Sequence, residues 1–339
     1  MIAVGVDTHK LEHAICVLDA LGRLLGERTI SADRSGYVEL RRWLATLGDD
    51  PVIVGIEGAG SYGAGLCEHL LAHGIQVVEV ERPKRAERRR SGKCDGIDAQ
   101  LAARKALAGT GLSTPRRGGT RQALAALLVG HRSCMRERTR LLNELQALVT
   151  TSPIALREQL GSGSGLQLAA RVLKTRRRSG SLASEQIILD VLRDLARRSR
   201  ELKQRADTYT GKLETLIRGL DGELLNQCGI GPISAAKLLV CDPHRLKSEA
   251  AFARCNGTAP LPASSGQTTR HRLSRGGDRQ ANNALHTIAI VRGRCHPETR
   301  AYLERRIAEG KTRREAMRSL KRHLSRSLYP RLIAVPLTT

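Results

Sequence analysis

Aromatic side chains are nearly missing from this 339-residue chain, which has one Phe, one Trp and five Tyr. Proteins that grip unpaired bases usually stack them on rings. So few rings point instead to recognition of phosphates and helical shape. The eight cysteines (16, 67, 94, 134, 228, 241, 255 and 295) are scattered and include no CxxC pair. That spacing speaks against zinc and against a disulfide framework, leaving reduced, mostly buried thiols. No apolar run is long enough to span a bilayer and no cleavable leader is visible, since Met1-Ile2-Ala3-Val4 enters a strand at once. The expectation is a cytoplasmic protein with no membrane partner. Acidic residues are the minority: 33 Asp and Glu face 57 Lys and Arg, a formal net charge of +24. An excess of that size predicts a polyanionic partner, nucleic acid ahead of an anionic membrane surface.

The length allows two or three domains. Over the first 110 residues, strand-like runs at about 2–6, 13–19, 24–30, 52–57 and 76–81 alternate with helical patterns at about 36–47, 62–73 and 97–108. The order β-β-β-α-β-α-β-α resembles an α/β RNase H-like fold, with a turn at Gly22-Arg23 in its early meander. Four acids occupy telling places. Asp7 ends the run Ile2-Ala3-Val4-Gly5-Val6, and Glu57 ends Val52-Ile53-Val54-Gly55-Ile56. Asp95 and Asp98 lie three apart at a helix start and so share a face. Any one of them taken singly reads as an ordinary solvated terminus. Together they suit a pair of Mg²⁺ ions, about 4 Å apart, that stabilise the attacking and leaving oxygens of a phosphodiester.

Between the fifth strand and the acidic pair runs a basic segment with Lys84, Arg85, Arg88, Arg89, Arg90 and Lys93. A charge run is ordinarily a solvated face; beside a phosphodiester site it is more economically a phosphate clamp. Residues 120–149 read as a long helix. A linker near 150–185 follows, marked by Gly161-Ser162-Gly163-Ser164-Gly165, and 185–220 carries heptads suited to a coiled coil. Its partner is either residues 120–149 or a second protomer. Gly229-Ile230-Gly231-Pro232 resembles a helix-hairpin-helix turn whose N–H groups can meet a phosphate, with a plain αα-turn as the alternative. Farther on, Ser264-Ser265-Gly266 precedes Arg270, Arg272 and Arg275 in an exposed loop. On its own, Ser-Ser-Gly reads as a turn.

The whole chain resembles the DEDD transposases of insertion sequences, a family whose characterised members act as bridge-RNA-guided DNA recombinases. The matching segments are Gly5-Val6-Asp7-Thr8-His9-Lys10, Ile56-Glu57-Gly58-Ala59-Gly60-Ser61-Tyr62 and Lys93-Cys94-Asp95-Gly96-Ile97-Asp98-Ala99. The Gly229-Ile230-Gly231 hairpin and Ser265-Gly266 with the stretch from Arg272 to Gly277 complete them, in the family's order. The resemblance implies a RuvC-like domain over 1–112, a helical coiled-coil region over 113–220 and a mainly α transposase domain over 221–339. It also implies Mg²⁺ held by Asp7, Glu57, Asp95 and Asp98, and Ser265 as nucleophile, with Ser264 its neighbour. Lys10, Arg85, Arg88, Arg89, Arg90, Lys93, Gly229, Gly231, Arg270, Arg272 and Arg275 are the candidate nucleic-acid contacts. The implied partners are donor and target duplex DNA, a guide (bridge) RNA, and further copies of the chain in a dimer or tetramer. The composite site would pair Ser265 with acids of another protomer.

The reaction so implied is Mg²⁺-dependent strand cleavage and exchange through a covalent phosphoserine. Two rivals use the same residues differently: a RuvC-like Holliday-junction endonuclease with water as nucleophile, and a catalytically idle nucleic-acid-binding protein.

Overall fold

In the computed structural model, the residues described are 1–81, 95–115, 118–177, 180, 182–263, 271–272, 274 and 276–337. The chain divides into two compact units, residues 1–121 and 122–337.

The first unit opens with β1 (Ile2–Thr8), β2 (Glu12–Leu18) and β3 (Leu24–Ser31), an antiparallel meander. Then come α1 (Arg34–Ala45), β4 (Val52–Glu57), α2 (Ala64–Ala72), β5 (Gln76–Val80), α3 (Asp95–Ala108) and the short β6 (Leu112–Ser113). The sheet order is β3-β2-β1-β4-β5-β6, with β4 parallel to β1 and β5 parallel to β4. This mixed sheet is compatible with an RNase H-like domain. Period-two alternation sorts its central strands. Val4, Val6, Val54 and Ile56 face a core built with Leu40, Trp43, Leu66 and Leu70 of α1 and α2. The other face of β2 packs Cys16 and Leu18 against Ala99 and Ala103 of α3.

The second unit is largely helical. Its elements are α4 (Thr120–Thr151), α5 (Ile154–Leu160), α6 (Gly165–Lys174), α7 (Ala183–Leu220), α8 (Gly222–Asn226) and α9 (Pro232–Val240). A 3₁₀ turn at Pro243–Arg245 and α10 (Glu249–Cys255) follow, then the two-stranded ribbon of β7 (Leu261–Pro262) and β8 (His271–Arg272). The unit ends with α11 (Arg279–Cys295), α12 (Pro297–Ala308) and α13 (Arg313–Ala334).

Helices α4 and α7 run antiparallel within the one chain. Leu124 near the start of α4 shares a core with Leu213 and Ile217, whereas Leu145 and Val149 meet Leu189, Leu192 and Ala196. Midway, a Cβ on Gly130 would stand 2.9 Å from the Tyr209 ring, so the glycine lets the helices close on that ring.

The segment read as a linker folds instead into α5 and α6. Ser164 caps α6: its hydroxyl accepts from the Gln167 N–H while the Gln167 side chain reaches back to the Ser164 N–H. Leu156, Leu160, Leu168 and Val172 then bury in the α4–α7 cluster. The larger core also runs without a break past residue 220, from Leu213 and Ile217 to Leu224, Ile230 and Phe252. Among the described residues, no helix is long and apolar enough to cross a membrane.

Candidate metal centre

Asp7 and Glu57 belong to the sheet face opposite the apolar core of α1 and α2. On β1 that face reads Ala3, Gly5, Asp7; on β4 it reads Ile53, Gly55, Glu57. Gly5 pairs with Gly55 in the parallel register, which brings Asp7 and Glu57 side by side on the same face two residues farther along each strand. The paired glycines are a clearing for α3. A Cβ on Gly5 would lie 1.9 Å from the Ala99 carbonyl oxygen and 2.3 Å from the Ala103 nitrogen. One on Gly55 would lie 3.0 Å from the Ala102 carbonyl oxygen. The helix answers with a face of small residues, as Ala99, Ala102, Ala103 and Ala106 are all buried. Its backbone therefore rests on the strands, and its first turn, with Asp95 and Asp98, arrives at the strand ends. Acids there also suit the positive end of the helix dipole.

The result is a tight group. His9 Nε2 lies 3.2 Å from Asp7 Oδ2 and 3.6 Å from Asp95 Oδ1. Ligand atoms of Asp7, His9 and Asp95 all fall within 4.8 Å of one another. Asp7 and Glu57 are buried, Asp98 is half-buried and Asp95 is exposed, so the group opens to solvent on the helix side. Burial pushes the Asp7 carboxyl above its ordinary value; His9 pulls it back, and the charges of Asp98 and then Asp95 push it up again. Beside it, the Thr8 hydroxyl donates to the Glu57 carbonyl oxygen at 2.8 Å, tying the two strand ends together.

His9 was not among the residues singled out from sequence. A signal was available: it opens the three-residue loop over the end of β1, two positions after the strand-end carboxylate. Its neighbour Lys10 is exposed in the same loop.

The remaining expected residues divide sharply. Gly229 takes φ +81° in the turn between α8 and α9, and a Cβ there would meet the Ile288 carbonyl oxygen of α11 at 3.1 Å. Packing thus explains that glycine without a phosphate. Gly231 N-caps α9, with Pro232 in its first turn, and faces open space. Arg272 is exposed on β8 in the second unit. Arg85, Arg88, Arg89, Arg90, Lys93, Ser265, Arg270 and Arg275 lie outside the described residues.

Known proteins share both units. Residues 4–152 match a transposase model, the DEDD transposase of the IS110 type. Residues 223–304 match the model of the transposase IS116/IS110/IS902 family. The chain is also similar to the insertion element IS900 uncharacterized 42 kDa protein of Mycobacterium paratuberculosis, with 26% identity over 384 aligned positions that cover 97% of this chain and 94% of the relative. Two models of one family match in order along most of the sequence, the first of them spanning all four acids. The chain belongs to the DEDD transposases of the IS110 family of insertion sequences.

Proposed function

We propose that this transposase cuts and rejoins DNA strands with Mg²⁺ held by Asp7, Glu57, Asp95 and Asp98 and with Ser265 as nucleophile. The observation that carries the reading is the convergence of Asp7, His9 and Asp95 at the glycine clearing. The donor set fits the ion: Mg²⁺ prefers hard carboxylate oxygens and keeps part of its water shell. A buried carboxyl raised by burial and by two neighbouring acids gains from a cation beside it. When bound there, Mg²⁺ supplies charge stabilisation for the attacking and leaving oxygens of a phosphodiester.

The chain's own residues do the rest. Ser265 Oγ attacks the scissile phosphorus; the new P–Oγ bond forms as the P–O3′ bond breaks, releasing a 3′-hydroxyl. A 3′-hydroxyl from the other duplex then attacks the phosphoserine and frees the serine, so the bond count is unchanged and no ATP is needed. His9, seated between Asp7 and Asp95, holds the first carboxylate in place.

Sequence choice is assigned to a guide RNA paired with both DNA partners, while the protein holds backbones. The formal charge of +24 and the scarcity of aromatic rings support that division of labour. Four strands and a composite site favour a dimer or tetramer as the working form.

A nicked suicide substrate, incubated with guide RNA and Mg²⁺, tests the reading. A covalent protein–DNA adduct that is lost in Ser265→Ala is the expected result. Cleavage that survives Ser265→Ala contradicts it and points to water as nucleophile.

A further inference from the structure

The second unit holds a cavity of about 630 Å³ whose lining includes Thr258, Pro260, His271, Arg272, Arg318 and Lys321. Among the described residues its charged lining is lopsided, with six Lys or Arg side chains to the single carboxylate of Glu315. Several of the cations are already paired. Arg306 bonds Glu309, Arg318 lies 3.8 Å from Glu315, and Arg322 holds Glu249 through its two terminal guanidinium nitrogens. Lys321 differs from these. It is only 7% exposed, and among the described residues no carboxylate pairs with it.

What does hold Lys321 is an amide. Its Nζ donates to Asn282 Oδ1 at 2.6 Å. Asn282 is fixed in turn, its Nδ2 donating to the Asn256 carbonyl oxygen at 2.6 Å. Asn256, fully buried, donates to Ser325 Oγ and accepts from the N–H and hydroxyl of Thr258. Every amide in this chain of bonds has its partners. The ammonium, with three donors and one amide acceptor, has capacity left over. Burying an unpaired charge is costly unless something compensates it. The carboxylate on the wall, Glu315, is engaged by Arg318 and by the N–H and hydroxyl of Thr312, so an anion from outside is what completes the ammonium. Burial alone pushes the Lys321 ammonium below its ordinary value, the cost that an anion would offset.

The position says which anion. Pro260, just before β7, and His271 and Arg272 of β8 all line the cavity. The described chain on either side of the proposed nucleophile thus contributes to this cavity's wall, Pro260 before it and His271 and Arg272 after it. We propose that the cavity is a phosphate site for the DNA strand that this nucleophile attacks, with Lys321 as its buried cation. The choice of DNA rests on the function proposed above; the phosphate site itself rests on the cavity. Lys321 acts here as a binding and positioning residue, one that lies beyond the stretch matched by the family model.

Thermal unfolding with inorganic phosphate as the probe tests the site without any cleavage. Phosphate should stabilise the wild-type protein, and Ser265→Ala equally. Lys321→Met should need roughly tenfold or more phosphate for the same rise, the loss of one charge-assisted hydrogen bond, while Lys321→Arg restores most of the response. Should Lys321→Met fail to fold, Ser319→Glu puts a carboxylate into the cavity from the partly exposed side of α13 and should abolish the response. Equal phosphate responses in wild type and in a folded Lys321→Met or Ser319→Glu protein overturn the site. Duplex binding then separates the ligands. Lys321→Met should weaken DNA binding by roughly tenfold and leave guide-RNA binding unchanged; the reverse pattern overturns the assignment to DNA. Because the phosphate response is read without turnover, it stands or falls separately from the serine mechanism.

Discussion

Gly5 and Ala99 meet so closely that a methyl group on the first would lie 1.9 Å from the carbonyl oxygen of the second. That approach sets the height of α3 over the sheet. With it comes the distance of Asp95 and Asp98 from Asp7, so one backbone contact fixes the geometry of the acids.

Gly5→Ala should therefore cost more than an ordinary small-to-large change. The obstacle is backbone on both sides, so the helix must lift, and a loss of about 3 kcal/mol, the upper end of overpacking, is expected. Gly55→Ala meets Val80 Cγ2 at 2.8 Å and the helix at 3.0 Å, and should cost about 1–2 kcal/mol. Chemical denaturation of both variants checks the ranking, and divalent-metal affinity should fall most in Gly5→Ala.

Asp7→Asn should stabilise the metal-free protein at neutral pH while removing its activity. The folded-state pKa of Asp7 lies above its ordinary value, so the folded protein binds that proton more tightly than the unfolded chain. The stabilisation this gives is present below the unfolded pKa and is lost as pH rises through the folded one. The wild type thus carries the cost of a buried carboxylate at pH 7, and the variant does not. Melting temperatures from pH 3.5 to 7.5 should diverge upward, and added Mg²⁺ should raise the wild type alone.

His13 gives the opposite pH dependence. It is fully buried on β2, its ring parallel to that of Tyr37 at a centroid distance of 6.1 Å, and burial lowers its pKa. The unfolded chain then binds the proton more tightly, so stability falls as pH drops below the ordinary histidine value. His13→Leu should flatten the stability curve between about pH 6.5 and 5. An unchanged slope would place the transition elsewhere.

Leu213→Ala should cost about 2–5 kcal/mol, because Leu213 is fully buried where α7 joins the large C-terminal core. Ile187→Ser on the same helix, at a position 64% exposed, should stay within about 0.5 kcal/mol. Paired denaturation curves decide whether α7 is held by its own chain in this way.

Much of the first unit was legible because its signals are local. Short apolar runs marked the strands, and Asp7 and Glu57 stood at their ends. What could not be read was why Asp95 and Asp98 should reach them, since that depends on Gly5 and Gly55 pairing in register beneath an alanine face. The Gly-Ser run at 161–165 misled because the same residues suit a linker and an N-cap; Gln167 and the apolar Leu168 and Val172 were the discriminating signs. On α7 the length was plain but the stripe was not. Of the heptad positions Leu192, Ala206 and Leu213 are buried, but Ile188, Leu195, Leu202 and Leu216 stay half-buried, while Leu189, Ala196, Ser199 and Ile217 are inside. Two neighbouring apolar stripes one residue apart look alike along a 38-residue helix, and only the fold chooses between them.

The most direct test of the metal centre is cleavage of an element-end DNA, with guide RNA, in a titration of Mg²⁺ for the wild type, Asp7→Asn and Asp95→Asn. Asp7→Asn should bind DNA with an unchanged salt dependence and yield no cleaved strand at any Mg²⁺ concentration, and Asp95→Asn should need far more of the ion. Cleavage by Asp7→Asn at the wild-type rate would contradict the assignment of these acids.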